Sequence, residues 1–150
     1  MTIYYGCDIP EDLYFHPDQD CWVRFEQDGS ATMGMTDIAQ TMAGKLLYIK
    51  FKDVGRKIKA GKNAATIESA KWVGPFVIPF EAEILETNEH AFTQDILIAN
   101  KDPYGSGWLV KVKPADAGSV RQTLLTGQAA VEHFQKKINA NDIRCFRCAD

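Results

Sequence analysis

Two six-residue stretches of this chain repeat with a period of two, and that period fits a half-buried β-strand. In residues 47–52, Leu47, Ile49 and Phe51 fall on one face, and Tyr48, Lys50 and Lys52 on the other. In residues 108–113, Trp108, Val110 and Val112 align inward. Turn signals separate further apolar runs. Asp28-Gly29 between Trp22-Val23-Arg24-Phe25 and Ala31-Thr32-Met33 predicts a hairpin. Gly74-Pro75 is expected to break the chain between Ala64-Ala65-Thr66-Ile67 and Phe76-Val77-Ile78. Thr36 is a suitable N-cap for a short helix over Asp37 to Met42, with Asp37 near its positive end and Gly44 past its last turn. After Pro114 the spacing becomes helical: Val120, Leu124 and Leu125, then Val131, Phe134 and Ile138, with Thr126-Gly127 between them. The fold class that follows is mainly β, an antiparallel sandwich with C-terminal helices gathered at one end.

At 150 residues and 45% hydrophobic, the chain is large enough to bury one core of its own. Its opening, Met1-Thr2-Ile3-Tyr4-Tyr5, lacks the basic and apolar regions of a signal peptide. No apolar run approaches the roughly 18 residues of a membrane span, so no membrane contact and a cytoplasmic location are expected. A net charge of −3 speaks against general nucleic-acid binding. The charges are nevertheless segregated. Asp8, Glu11, Asp12, Asp18 and Asp20 precede Cys21 without a Lys or Arg, whereas Lys45 through Lys62 hold seven basic residues against Asp53 alone. The basic stretch reads either as a steering surface for an acidic partner or as solvated strand faces.

Lys71, in Thr66-Ile67-Glu68-Ser69-Ala70-Lys71-Trp72, is placed at or near the apex of the second hairpin. A lysine that serves by covalent modification must be exposed on a rigid tip in a shape that a modifying enzyme recognises, and a turn between strands supplies this. On position alone, Lys71 reads equally as one of many surface lysines.

Its neighbourhood says more. Glu68-Ser69-Ala70-Lys71 follows Met33-Gly34-Met35-Thr36-Asp37-Ile38-Ala39-Gln40 and the glycine turns Val54-Gly55 and Ala60-Gly61. It precedes Pro79 and the run Asp102-Pro103-Tyr104-Gly105-Ser106-Gly107-Trp108-Leu109-Val110-Lys111-Val112-Lys113-Pro114. In this order, over residues 29–116, these motifs resemble the H-protein family of the glycine cleavage system. The resemblance implies a lipoyl-domain barrel-sandwich hybrid and lipoate amide-linked to Lys71, with Glu68, Ser69, Ala70 and Trp72 forming the attachment hairpin. It also implies a carrier, not an enzyme, that works with lipoate–protein ligase or another lipoylation enzyme. The whole chain is then one lipoyl-carrier domain: residues 1–28 an N-terminal extension and first strands, 29–116 the lipoyl core, 117–140 the C-terminal helices and 141–150 a Cys-x-x-Cys tail.

Biotin carriers use a comparable lysine but usually flank it with methionines; Ala70 and Trp72 stand here instead. Trp72 also replaces a small residue of the H-protein pattern, and reads either as a shield or docking point for the arm or as structural packing. Three polar positions that the family uses to hold an amine cargo differ as well. Cys21 stands for the glutamate before the family's tryptophan, Gln19 for a serine two residues earlier, and Pro75 for an aspartate four residues after the lysine. A cationic cargo needs compensating charge, so the loss of both carboxylates argues for a different cargo.

The cysteines add to this. Cys7 and Cys21 lie near the start, and Cys145 and Cys148 close the chain, with Arg144 and Arg147 bringing positive charge beside them. In a cytoplasmic protein the tail pair reads as redox-active or metal-binding before it reads as a structural bridge. Its exposed and incidental reading stays open. No second paired knuckle accompanies it, so no metal is expected. A carrier that keeps the lysine, loses the carboxylates and gains thiols resembles the lipoate-binding proteins of the sulfur-oxidising heterodisulfide-reductase-like pathway. The resemblance implies a lipoyl arm that carries sulfur or disulfide equivalents between a heterodisulfide-reductase-like complex and a dihydrolipoyl dehydrogenase-like enzyme. A glycine-cleavage carrier of an aminomethyl group and an unmodified binding module are the alternatives. His16, His90 and His133 are scattered and suggest no catalytic site.

Overall fold

The computed structural model describes residues 1–149. A short N-terminal ribbon pairs β1 (Thr2–Tyr4) with β2 (Cys7–Ile9). Next come β3 (Tyr14–Phe15), β4 (Cys21–Phe25) and β5 (Ala31–Met35), and then helix α1 (Asp37–Ala43). The middle of the chain supplies β6 (Leu46–Phe51), β7 (Lys57–Ile58), β8 (Lys62–Ser69), β9 (Val73–Ile78) and β10 (Ala82–Thr87). Two short helices, α2 (Glu89–Gln94) and α3 (Ile98–Lys101), lead to β11 (Val110–Pro114). The chain closes with α4 (Ala117–Gln122), β12 (Leu125–Thr126) and the long helix α5 (Gly127–Asn141).

Antiparallel pairing builds a seven-stranded sheet in the order β12-β3-β4-β5-β11-β10-β7 and a three-stranded sheet in the order β6-β8-β9. One apolar cluster draws on both, with Met33, Ile84 and Val112 from the large sheet meeting Phe51, Ile67 and Ile78 from the small one. A second cluster joins Phe15 and Trp22 to Val131, Phe134 and Ile138 of α5. Each of these buried side chains contributes roughly 1.5–3 kcal/mol of transfer free energy. Among the described residues no helix is long and apolar enough to cross a membrane, a statement that leaves strands aside.

The Asp28-Gly29 hairpin forms, with Val23 opposite Met33 and Phe25 opposite Ala31. Thr36 caps α1 as expected: its Oγ1 accepts from Ala39 N–H at 3.1 Å, worth about 1 kcal/mol. At the other end, Gly44 N–H donates to Gln40 O at 3.0 Å with φ +80°, a conformation that favours glycine.

Four local expectations need correction. Leu47 does not face the core. A bulge between Leu46 and Tyr48 turns Leu46 inward and leaves Leu47 exposed. Gly74-Pro75 does not break the chain but lies within β9, opposite Ile67 and Thr66. Pro75 is tolerated there because β9 is an edge strand. Trp108 is half-buried ahead of β11 and packs on the second cluster. Leu125 belongs to no helix: it pairs with Phe15 in β12, and Thr126 Oγ1 ties that strand down by donating to Leu13 O at 2.7 Å.

The charge segregation of the sequence has a structural counterpart. Asp8 pairs with Arg147 at 2.7 Å and Asp20 with Lys137 at 2.6 Å, so acids near the start hold bases near the end.

The candidate carrier site

The hairpin of β8 and β9 turns through Ala70, Lys71 and Trp72. Ser69 organises that turn. Its backbone N–H donates to Trp72 O at 2.7 Å, its hydroxyl donates to the same oxygen at 3.3 Å, and its Oγ accepts from Lys71 N–H at 3.4 Å. The serine is buried while Ala70, Lys71 and Trp72 are exposed. A buried polar residue therefore fixes an exposed lysine at the tip. Glu68 lies outward, between Tyr48 and Val73 across the sheet, and is exposed.

The Lys71 side chain lies against the end of α1. A β-carbon at Gly44 would stand 3.0 Å from Lys71 Cε and 3.6 Å from Nζ, so the absence of a side chain there leaves the lysine its place. Asn100, fully buried, fastens this floor: its Nδ2 donates to Gly44 O at 2.9 Å and Gln40 Oε1 at 3.2 Å, and its Oδ1 accepts from Leu46 N–H at 3.1 Å. The sequence reading did not select Asn100. The one available signal was a lone amide following the apolar run Ile96-Leu97-Ile98-Ala99.

Beside the lysine opens a cleft of about 260 Å³. Met35, Ala39, Ala43, Ile67 and Phe76 form its buried floor, and Trp72 and Pro75 one wall. The Trp72 indole lies against Gly74, where a β-carbon would come within 2.2 Å of it. Asp18, Gln19 and Asp20 also line the cleft. An apolar trough beside an exposed lysine has the shape and lining to receive a hydrocarbon chain.

Here the charge reasoning from sequence requires correction. Pro75 lines the cleft and the buried Cys21 does not, yet two aspartates, Asp18 and Asp20, lie on it. Position-by-position comparison counted anions along the chain, whereas the cleft collects them in space. Asp20 is partly compensated by Lys137; Asp18 is exposed.

The four cysteines divide into three environments. Cys7 and Cys145 form a disulfide across 138 residues, so the tail cysteines are not paired with each other. Cys148 is free and half-buried. Cys21 is free and buried at the start of β4, and its thiol is pushed up to about 12 by burial first and the Asp20 charge second. Iodoacetamide at pH 8 should therefore label Cys148 and spare Cys21 in the folded protein, and label both in guanidinium, as peptide mass spectrometry will read. Equal labelling of the two thiols in the folded state would refute this burial. The sign for stability follows: above the ordinary thiol value of 9.0 the unfolded chain loses this proton first, so the contribution of Cys21 falls as pH rises towards about 12. Among the described residues no group of three or more His, Cys, Asp or Glu side chains is arranged to hold a metal ion.

Fold and site together define a class: a sheet-built carrier domain that presents one lysine on a tight hairpin above an apolar cleft. Comparison with known proteins narrows the class. The Glycine cleavage H-protein family matches residues 13–137. The chain is 45% identical to glycine cleavage system H protein 3 of Aquifex aeolicus, over 97% of this chain and 91% of that one. It is 43% identical to H protein 2 of the same organism, over 95% and 88%. Among solved structures, a glycine cleavage system H protein from Mycobacterium marinum superposes with a TM-score of 0.69 at 30% identity, covering 90% of this chain and all of that one. The chain belongs to the glycine cleavage H-protein family. Members of this family are carriers rather than enzymes, bear lipoate covalently on a lysine and share the barrel-sandwich fold described above.

Proposed function

We propose that Lys71 is the lipoylated residue and that the chain serves glycine cleavage, carrying an aminomethyl group between glycine decarboxylase, aminomethyltransferase and dihydrolipoyl dehydrogenase. The observation that carries the assignment of Lys71 is the hairpin itself: one lysine, exposed between Ala70 and Trp72, on a turn fixed by the buried Ser69. The relatives that bear this name, and the Asp18 and Asp20 carboxylates on the adjacent cleft, support the amine cargo. The family's group supplies a dithiolane on a long tether, whose sulfurs do the chemistry at the partners' active sites.

What this chain's residues do is present, shelter and discriminate. The rigid hairpin keeps the tether's root in one place, so that successive partners meet the arm at an effective concentration on the order of millimolar. Buried Met35, Ile67 and Phe76 offer the tether an apolar resting place, and Trp72 closes one side of it. Asp18 offers an ammonium group an opposite charge. A lipoate–protein ligase or another lipoylation enzyme attaches the group, and the setting is cytoplasmic.

A second reading, transport of sulfur or disulfide equivalents to heterodisulfide-reductase-like and dihydrolipoyl dehydrogenase-like partners, is favoured by Cys21 and Pro75 standing where the family's amine-binding carboxylates stand. One assay separates the two. Lipoylated protein supplied to glycine decarboxylase should support glycine–bicarbonate exchange, at a rate that falls by up to about fivefold when Asp18 is replaced by Asn, since an exposed charge pair contributes about 0–1 kcal/mol. No exchange from fully lipoylated protein would overturn the amine cargo and leave the sulfur reading.

A further inference from the structure

The C-terminal tail is docked on the N-terminal ribbon and on the elements beneath the carrier site. Cys145 is bonded to Cys7, and its N–H donates to Tyr5 O at 3.1 Å. Phe146 O accepts from Gln40 Nε2 at 2.8 Å, and Cys148 N–H donates to Asn100 O at 3.0 Å. Arg147 bonds Asp8 at 2.7 Å and Asp37 at 3.3 Å. Gln40 and Asp37 belong to α1, whose Ala39 and Ala43 floor the cleft, and Asn100 holds Gly44, over which Lys71 lies. The tail thus braces the helix that supports the arm.

We propose that Cys7, Cys145 and Cys148 form a thiol–disulfide exchange site that locks and releases this tail. The three sulfurs are unequal. Cys7 is fully buried, while Cys145 is only half-buried, so a nucleophile reaches the bridge at Cys145. Cys148 stands three residues away with a free thiol. As a thiolate, having given its proton to solvent, it attacks Cys145 Sγ; the Cys145–Cys148 bond forms, the Cys7–Cys145 bond breaks, and Cys7 leaves as a thiolate that takes up a proton. One disulfide replaces another, so no oxidant or reductant is consumed. An external dithiol can then reduce the new bridge, becoming a disulfide itself and leaving two thiols in the tail.

Cys145 can belong to only one bridge at a time. In the docked state Cys145 is pinned to Tyr5 and Cys148 to Asn100, so closing a bridge within the tail works against these two backbone anchors. The buried Cys7 is a poor leaving group in its apolar cluster, which favours the locked state until the tail loosens. The exchange itself does not depend on Lys71. Only its consequence for the arm rests on reading Lys71 as the attachment site.

The test uses the whole 150-residue chain in unlipoylated form, so that it stands or falls separately from the lipoate assignment. Samples held in graded mixtures of reduced and oxidised dithiothreitol are acid-quenched, alkylated and mapped without reduction. The expected species at intermediate poise carries a Cys145–Cys148 disulfide with Cys7 alkylated, and the Cys148→Ser variant lacks it. In that species, amides of residues 37–44 should exchange with deuterium at least about tenfold faster than in the Cys7–Cys145 form, by local release of α1. Passage from the Cys7–Cys145 form to three free thiols with no Cys145–Cys148 species at any poise would overturn the exchange site, and unchanged protection of α1 would overturn its coupling to the cleft.

Discussion

Replacing Lys71 with alanine is expected to abolish lipoylation of this chain entirely. Co-expressed with a lipoate ligase, the wild-type protein should gain one lipoyl group in its intact mass, and Lys71→Ala none. Lys71→Arg should behave like alanine, because a guanidinium keeps the charge but offers no amine for the amide bond. The effect is all-or-none because recognition demands the tip geometry as well as an amine, and that geometry is local. Ser69→Ala tests this point without touching the lysine. It removes the hydroxyl that bonds Trp72 O and accepts from Lys71 N–H, so the turn loosens while the amine stays available. Hydrogen bonds of this kind are worth about 1 kcal/mol each, and the rate of lipoylation should fall roughly five- to thirtyfold in a timed mass assay. A lipoyl increment that persists in Lys71→Ala would refute the assignment and send the search to the lysines of β6 to β8.

What was legible in the sequence is what depends on local chemistry. Thr36 as a cap, Gly44 as a stop and Asp28-Gly29 as a turn each follow from short-range backbone preferences, and each is found in place. The tip at Lys71 was legible for the same reason. Misreadings came where a distant strand decides. Leu47 fits a strict alternation, yet a bulge against β8 shifts the frame by one residue and hands its place to Leu46. Pro75 is a breaker by local rule, but an edge strand tolerates it because the missing N–H faces no required partner. Leu125 has helical spacing from Val120, but pairing with Phe15 captures it. The site shows the same division. Asp18 and Asp20 lie on the cleft through a loop that no pairwise comparison of positions weighs, and Asn100 meets Gly44 across 56 residues of sequence. The disulfide is the extreme case. The spacing of Cys145 and Cys148 draws the eye to a local pair, whereas the fold brings Cys145 to a cysteine 138 residues away.

That bridge carries the second large prediction, a loss of about 3–5 kcal/mol of folding stability when Cys145 is replaced by serine, since a loop of more than 100 residues is no longer closed in the unfolded chain. Urea denaturation read by tryptophan fluorescence measures it, Trp22 being fully buried in the folded protein. Cys145→Ser is a cleaner probe than Cys7→Ser, because Cys7 is completely buried and a hydroxyl there adds about 1–3 kcal/mol for an unpartnered polar group. The other anchors of the tail cannot mask the loss. Arg147 keeps its pairs with the part-exposed Asp8 and the buried Asp37 in both proteins, so they cancel in the comparison. Adding a strong reductant to the wild type should reproduce the midpoint of the variant, and adding it to Cys145→Ser should change nothing further. A variant within about 0.5 kcal/mol of the wild type, the range of an ordinary surface substitution, would mean that the bridge does not close in solution. The two lowered midpoints must coincide, because both remove the same covalent tie and leave the same tail held by its hydrogen bonds to Tyr5, Gln40, Thr41 and Asn100 and by the Arg147 pairs.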